Sequence, residues 1–154
     1  MMLDFDRGVI WFNRLVLTAA TFVMLMIALR NLRDPIGATV PLDIELSSPT
    51  AVTAVRVGFG GFPLGFALAL GACLFATRRL LTGISLVLAV VGGATIARVQ
   101  GLALDGATPY NLAVLRPEIA MVTLSAIGIV LERRRRRGFP PQIAKQGLDT
   151  SSAP

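Results

Sequence analysis

The apolar residues of this chain are gathered into four long runs, and most charged residues lie in the stretches between them. The runs cover residues 9–29, 51–76, 80–104 and 110–131. A helix needs about 20 residues to cross the hydrocarbon core of a bilayer, and each run is long enough to do so. Because the runs are continuous and not spaced like one face of an amphipathic helix or strand, the pattern predicts an all-α fold, an integral membrane four-helix bundle.

The stretches between the runs predict how the helices are connected. Helices two and three are joined by a few residues around Thr77, and helices three and four by residues 105–109, so each pair should form an antiparallel hairpin. The loop of residues 30–50 is the longer connection. Its Ser48-Pro49 pair is typical of a helix N-cap followed by proline in the first turn.

The two ends of the chain carry different signals. Residues 1–7 are mixed in charge and no small-residue cleavage site follows residue 29, so the first run predicts a retained helix and not a secretory signal. Residues 138–154 show no periodicity and predict a disordered cytoplasmic tail. The predicted transmembrane domain therefore covers residues 1–137.

The distribution of basic residues predicts the orientation of the helices. If the first residues are cytoplasmic, ten of the 15 basic residues lie on that side and five on the other. The cytoplasmic set is Arg7, Arg14, Arg78, Arg79, Arg133, Arg134, Arg135, Arg136, Arg137 and Lys145. Because basic residues are retained on the cytoplasmic side, both termini are predicted to be cytoplasmic and the longer loop extracytoplasmic.

The amino-acid composition agrees with a membrane location and argues against several classes of function. Hydrophobic residues make up 54% of the chain, against about 45–50% in soluble domains, and the mean hydropathy is +0.70. There is no histidine and a single cysteine, Cys73, so we expect no haem, no transition-metal cofactor, no CxxC redox pair and no histidine-based triad. Cys73 has no basic neighbour before Arg78 and is interpreted as a small packing residue.

The net charge of +6 does not indicate nucleic-acid binding, because the charge is concentrated at one place. Five of the 15 basic residues form the run Arg133, Arg134, Arg135, Arg136 and Arg137, directly after the fourth apolar run. A run in that position is typical of a topology signal that contacts the phosphates of lipid headgroups. We predict the bilayer, including anionic lipid, as its partner, and no nucleic acid.

Three charged residues lie within the apolar runs: Arg56, Arg98 and Glu118. A charge at the centre of a span costs roughly 2.5–3.5 kcal/mol on insertion scales, so such charges usually pair. Counted from the extracytoplasmic helix ends, all three lie at a depth of roughly 7–9 Å. This matching depth predicts one ion-paired cluster or anion site near the outer face. Asp105 lies seven residues after Arg98, and Asn111 lies seven residues before Glu118. Residues at this spacing share one side of a helix, so Asp105 and Asn111 are predicted to be further members of the cluster.

Two further patterns predict helix packing. On the fourth helix Asn111, Glu118, Ser125 and Glu132 recur every seven residues, as a polar stripe that should face the bundle interior. Small residues form one face of helix two (54, 58, 61, 65, 69 and 72) and of helix three (89, 93, 97 and 101). Such faces let backbones approach closely, within one chain or between copies. Arg56 points about 180° away from the small face of its helix, so it either makes a second protein contact or extends alone toward the interface.

Pro117 leaves two alternatives for the fourth helix. Proline removes a backbone hydrogen bond, so the helix is either kinked there or begins there, and the second version places Glu118 in the first turn. A helix from Pro117 to Leu131 would be about 22 Å long, too short for a hydrocarbon core of about 30 Å. We therefore prefer the kinked helix.

Four short motifs resemble those of a family of small membrane proteins, the domain of unknown function numbered 4345. They are Ala54-Val55-Arg56-Val57-Gly58-Phe59-Gly60-Gly61, Ala97-Arg98, Leu104-Asp105-Gly106 and Pro117-Glu118. The resemblance runs from the first helix through the fourth and leaves out the tail. It implies a four-helix protein of the bacterial inner membrane in which Arg56, Arg98, Asp105 and Glu118 are characteristic polar positions. It implies no settled activity.

These patterns are compatible with more than one function. We expect the polar cluster to be an ion-pair network that fixes helix register, in a structural or accessory subunit that associates with other membrane subunits or with itself. The alternative is binding or transport of an anionic lipid or small solute, since two arginines against one glutamate leave a surplus positive charge. Proton-coupled transport through Glu118 is one form of this alternative. No residues have catalytic spacing, so an enzyme is the least favoured class.

Overall fold

The chain is almost entirely helical in the computed structural model, which describes residues 2–137. It forms five α-helices: α1 (Met2–Arg33), α2 (Pro35–Thr39), α3 (Pro49–Leu74), α4 (Leu80–Asp105) and α5 (Pro109–Arg137). Short 3-10 turns, Val40–Leu42 and Thr77–Arg79, lie in two of the connections. Residues 2–137 contain no β-strand, so the predicted all-α class is confirmed. The predicted tail of residues 138–154 lies outside the described residues.

The two ends of the helix bundle can be told apart by their contacts. At one end the start of α1 meets the end of α5, where Asn13 lies within hydrogen-bonding distance of Glu132. The α3–α4 turn is also there, because Arg136 donates to the carbonyl of Arg78. We call this the terminal end. The opposite end, the loop end, holds residues 34–48 and the α4–α5 turn.

Local chemistry explains where the helices begin and end at the loop end. Ser48 caps α3, since its hydroxyl accepts from the backbone N–H of Ala51 at 3.1 Å, and proline follows it as predicted. Helix α4 stops at Gly106, whose φ of 94° is available to glycine at little cost. The Thr108 hydroxyl then accepts from the N–H of Asn111 at 3.2 Å in the first turn of α5.

Helix α3 is not a regular α-helix throughout. Residues Arg56–Gly61 form a π-helical turn between the α-helical segments Pro49–Val55 and Phe62–Leu74. Gly60 in this turn is buried, and a Cβ atom added there would lie only 2.8 Å from the side chain of Leu32. The absence of a side chain at Gly60 therefore lets α3 pack closely against the end of α1.

The tightest packing among the four long helices lies in the terminal half of the bundle. The fully buried apolar side chains there come from α1, α3 and α4: Leu17, Leu70, Leu80, Ile84 and Val87. Gly83 lets α4 approach α1 and α3, because a Cβ there would lie 2.9 Å from Cys73 and 3.0 Å from Leu17. Cys73 is buried at this contact, in agreement with a packing role.

The outer surface of the bundle is apolar. The side chains of Phe62, Ile96 and Leu104 are each more than 70% exposed, on α3 and α4. The spans Phe5–Arg33, Pro49–Leu74, Thr77–Asp105 and Pro109–Arg137 are each long and apolar enough to cross a membrane. A surface of this kind suits hydrocarbon, and the architecture is that of a multi-pass membrane protein.

The two small-residue faces lie on this outer surface. In α3, Gly58 and Gly65 have open space where a Cβ would be, and the same holds for Gly93 in α4. The alanines of both faces are exposed as well: Ala54, Ala69, Ala72, Ala89 and Ala97. Within the described part of the chain the close helix approaches occur elsewhere, so these faces do not serve packing inside one chain.

Candidate functional site

The central feature of the loop-end half is an ion pair between α4 and α5. The guanidinium of Arg98 donates from Nε to Glu118 Oε2 at 2.9 Å and from Nη2 to Oε1 at 2.8 Å. Two parallel hydrogen bonds of this kind fix the geometry as well as the distance of the two groups. The side chains are 24% and 15% exposed, so the pair is partly withdrawn from the surroundings.

Asn111 is the third member of this cluster. Its Oδ1 accepts from Arg98 Nη1 at 3.1 Å, so each of the three guanidinium nitrogens donates to an acceptor. Asn111 lies seven residues before Glu118 on the same side of α5. Ser125 and Glu132 continue this side and are fully buried, which confirms the predicted inward-facing polar stripe.

Arg56 and Asp105 do not join the cluster, although both were expected to. Both residues are exposed, and neither has an ion-pair or side-chain hydrogen-bond partner among residues 5–137. The reason lies in the packing: the π-helical turn of α3 packs on α1, whereas α4 and α5 pack on each other. Without Arg56 the cluster holds one positive and one negative group, so its predicted surplus charge is absent.

The structure also decides between the two versions of the fourth helix. Helix α5 runs without interruption from Pro109 to Arg137, with Pro117 inside it. The alternative in which the helix begins at Pro117 is therefore wrong. Since proline has no N–H, the carbonyl of Ala113 lacks its usual helical donor in the turn that precedes Glu118.

A cavity of about 200 Å³ lies between α1, α4 and α5, next to the ion pair. Glu118 is its one charged lining residue. The other lining residues are apolar and come from all three helices: Ala20, Val23, Met24, Ile27, Val90, Val91, Ala94, Val114, Pro117 and Met121. The cavity is thus a hydrocarbon-like space with a carboxylate at its edge.

A second polar cluster lies at the terminal end and is centred on Glu132, which is fully buried. Its carboxylate accepts two hydrogen bonds from Arg135, at 2.9 and 2.7 Å, and one from Arg136 Nε at 2.9 Å. Asn13 Nδ2 of α1 lies 3.5 Å from Glu132 Oε2. Two arginines of the run predicted to contact lipid headgroups are therefore also internal partners of a buried acid.

Sequence reasoning missed this second cluster, although a signal for it was present. Arg135 and Arg136 lie three and four residues after Glu132, the spacing at which side chains meet on a helix. Asn13, a polar residue within the first apolar run, is its partner on another helix. Close packing supports the contact, because a Cβ at Gly128 would lie 2.7 Å from Asn13 Oδ1.

The fold and the paired charges define the class of the molecule: a multi-pass membrane protein whose intramembrane ion pair is neutral overall. Comparison with known families places it further. Residues 12–128, well over half of the chain, match the family described as "Domain of unknown function (DUF4345)", and the chain belongs to this family. The resemblance inferred from its motifs is confirmed. No curated protein matches the chain, and no solved structure does.

Proposed function

We propose that this protein is a structural or accessory subunit of an assembly in the bacterial inner membrane. The observation that carries the proposal is the outward position of the two small-residue faces, on which Gly58, Gly65 and Gly93 have open space above them. Lipid gives helices no hydrophobic drive to associate, so association depends on close van der Waals packing. Faces of glycine and alanine provide such packing for a helix from another subunit or from a second copy.

The state of the ion pair supports a structural role over anion binding. Arg98 uses three of its nitrogens on Glu118 and Asn111, and these contacts join α4 to α5. An anion at this place would have to displace Glu118 or share its arginine. Breaking such a pair leaves an uncompensated charge, which costs several kcal/mol. The geometry therefore favours fixing helix register over capturing a negatively charged solute.

Site-directed photo-crosslinking in native membranes tests the proposal. A photoreactive residue at Ala97, on the small face of α4, should give one discrete protein adduct. The same residue at Phe22, an exposed large apolar position on α1, should give lipid adducts. The mass of the adduct distinguishes a second copy from another subunit. No discrete protein adduct at Ala97, or the same adduct at both positions, would contradict the proposal.

A pair of substitutions on α4 provides the matched control. Gly93→Leu adds a large side chain to the small face and should reduce the adduct at Ala97 about tenfold, because the helix backbones can no longer approach. Val99→Leu changes an exposed residue off that face and should leave the adduct unchanged. Equal effects of both substitutions would show that the small face has no special part in association.

The proposed orientation places the terminal end in the cytoplasm. Arg133, Arg134 and Arg137 are exposed there and are suited to contact anionic headgroups, while Arg135 and Arg136 bind Glu132. Enrichment of arginine at one end of a bundle supports this topology, and the same residues support anionic lipid as a partner.

Cysteine labelling with an impermeant maleimide tests the orientation. Cys73 is buried and should give little background. A Glu45→Cys variant, in the loop, should be labelled on intact cells. An Arg134→Cys variant should be labelled only after permeabilisation. The reverse result would contradict the orientation.

A further inference from the structure

We propose that the cavity between α1, α4 and α5 binds a hydrophobic alcohol, that is, a hydrocarbon ligand whose hydroxyl group donates to Glu118. The argument concerns the described helices and goes beyond the proposed structural role. It rests on the place of the cavity, on the chemistry of its lining and on the charge balance of the adjoining ion pair.

The cavity lies outside the part of the bundle that holds most of the buried core residues. The buried residues of α4 lie in its first half, from Leu80 to Val91. The buried residues of α5 lie in its second half, from Ser125 to Glu132. Both sets lie toward the terminal end. In the loop-end half α1 and the α4–α5 hairpin leave about 200 Å³ between them.

The size and lining of the cavity select a hydrocarbon group. The cavity is open to the outer surface of the bundle, since Val23, Ile27 and Val90 of its lining are 46%, 39% and 46% exposed, so a hydrocarbon chain can extend from it into the bilayer. Alanine, valine, isoleucine and methionine side chains form the walls. They offer no hydrogen bonds to compensate a strongly hydrated ligand, which would lose its hydration on entry.

Glu118 gives the cavity its polar specificity. Its two carboxylate oxygens each accept one hydrogen bond from Arg98, and a carboxylate has roughly four acceptor positions, so lone pairs remain available. The side chain is 15% exposed and lines the cavity. The one polar side chain of the lining is therefore an acceptor, and a ligand must donate to it.

The charge balance decides which donor fits. Arg98 already neutralises Glu118, so a bound ammonium would leave a net positive charge inside the apolar region, and a bound anion a net negative one. A hydroxyl group donates one hydrogen bond and changes no charge. A neutral alcohol with a hydrocarbon body thus donates to the Glu118 carboxylate, packs against the apolar lining and leaves the ion pair neutral.

Photoaffinity labelling of the purified full-length protein in lipid nanodiscs tests this inference. The probes are a photoreactive medium-chain alcohol and its methyl ether, which keeps the chain but cannot donate. Labelled residues are mapped by mass spectrometry. Because a hydrogen bond to a charged group is among the stronger ones, we expect the alcohol to label the cavity-lining residues about tenfold more than the ether.

Two alanine substitutions on α4 serve as test and control. Ala94→Leu adds bulk inside the cavity and should remove most of the alcohol labelling. Ala103→Leu makes the same change at an exposed position on the opposite side of the helix and should leave it intact. Equal labelling by alcohol and ether would overturn the inference, as would labelling spread over the outer surface or labelling that survives Ala94→Leu. The comparison of the two probes uses the wild-type protein, so its outcome does not depend on whether a variant folds.

Discussion

Replacing Arg98 by methionine is the most direct test of how the bundle treats its intramembrane charges. Methionine keeps much of the length of the side chain but removes both hydrogen bonds to Glu118 and the one to Asn111. The carboxylate of Glu118, which is 15% exposed, then has no positive partner. We expect a large loss of stability from this single change.

The magnitude follows from the partial burial of the pair. Breaking a buried ion pair by removing one partner costs about 3–5 kcal/mol, whereas replacing both partners by apolar groups is often close to neutral. Because both side chains keep some exposure, we expect about 3 kcal/mol for Arg98→Met. For Arg98→Met combined with Glu118→Met we expect a change within about 1 kcal/mol of wild type. The two single changes should therefore be strongly non-additive.

Thermal unfolding in detergent measures this cycle. A loss of about 3 kcal/mol corresponds to a fall in Tm of roughly 6–12 °C for a protein of this size. Arg116→Met, which removes an exposed arginine from the same helix α5, should change Tm by less than about 2 °C. If the double variant loses the sum of the two single losses, or if Arg98→Met behaves like the Arg116 control, the ion pair does not fix the register of α4 and α5.

Three further substitutions probe other parts of the fold by the same unfolding measurement. Glu132→Ala should cost about 2–3 kcal/mol, because it removes the acceptor of Arg135 and Arg136 at a fully buried position; a neutral result would mean that these arginines do not depend on it. Gly128→Ala should cost about 1–3 kcal/mol through overlap with Asn13, whereas Gly65→Ala, which meets open space, should be neutral or slightly stabilising. Ser48→Ala should cost about 1 kcal/mol by removing the cap of α3, and Ser48→Asp, which restores an acceptor, should recover most of it.

The helices could be predicted from sequence because hydrocarbon imposes a simple requirement. A span must be long, apolar and internally hydrogen-bonded, so the four runs indicate the four long helices directly. The Arg98–Glu118 pairing also followed from sequence, since charges at matching depth on helices joined by a short turn have few other partners. Helix α5 and its Asn111–Glu132 stripe obeyed ordinary seven-residue spacing.

The arrangement of the helices around one another could not be predicted in the same way. Depth says nothing about which neighbour a helix faces, so Arg56 was expected beside Arg98 although the π-helical turn of α3 packs on α1. Small-residue faces likewise indicate close packing without naming the partner helix. The cavity depends on local gaps between three helices, which no pattern along a single helix encodes.

The central position of α1 has a consequence for how the protein is made. Helix α1 contacts α3, α4 and α5, whereas α4 and α5 pack chiefly on each other. During synthesis α1 enters the bilayer before any of its neighbours exist, and the α4–α5 hairpin can pair as soon as it is inserted. The bundle is therefore complete only after the α4–α5 hairpin has packed on α1. Within the described chain, that docking step brings together Asn13 and Glu132.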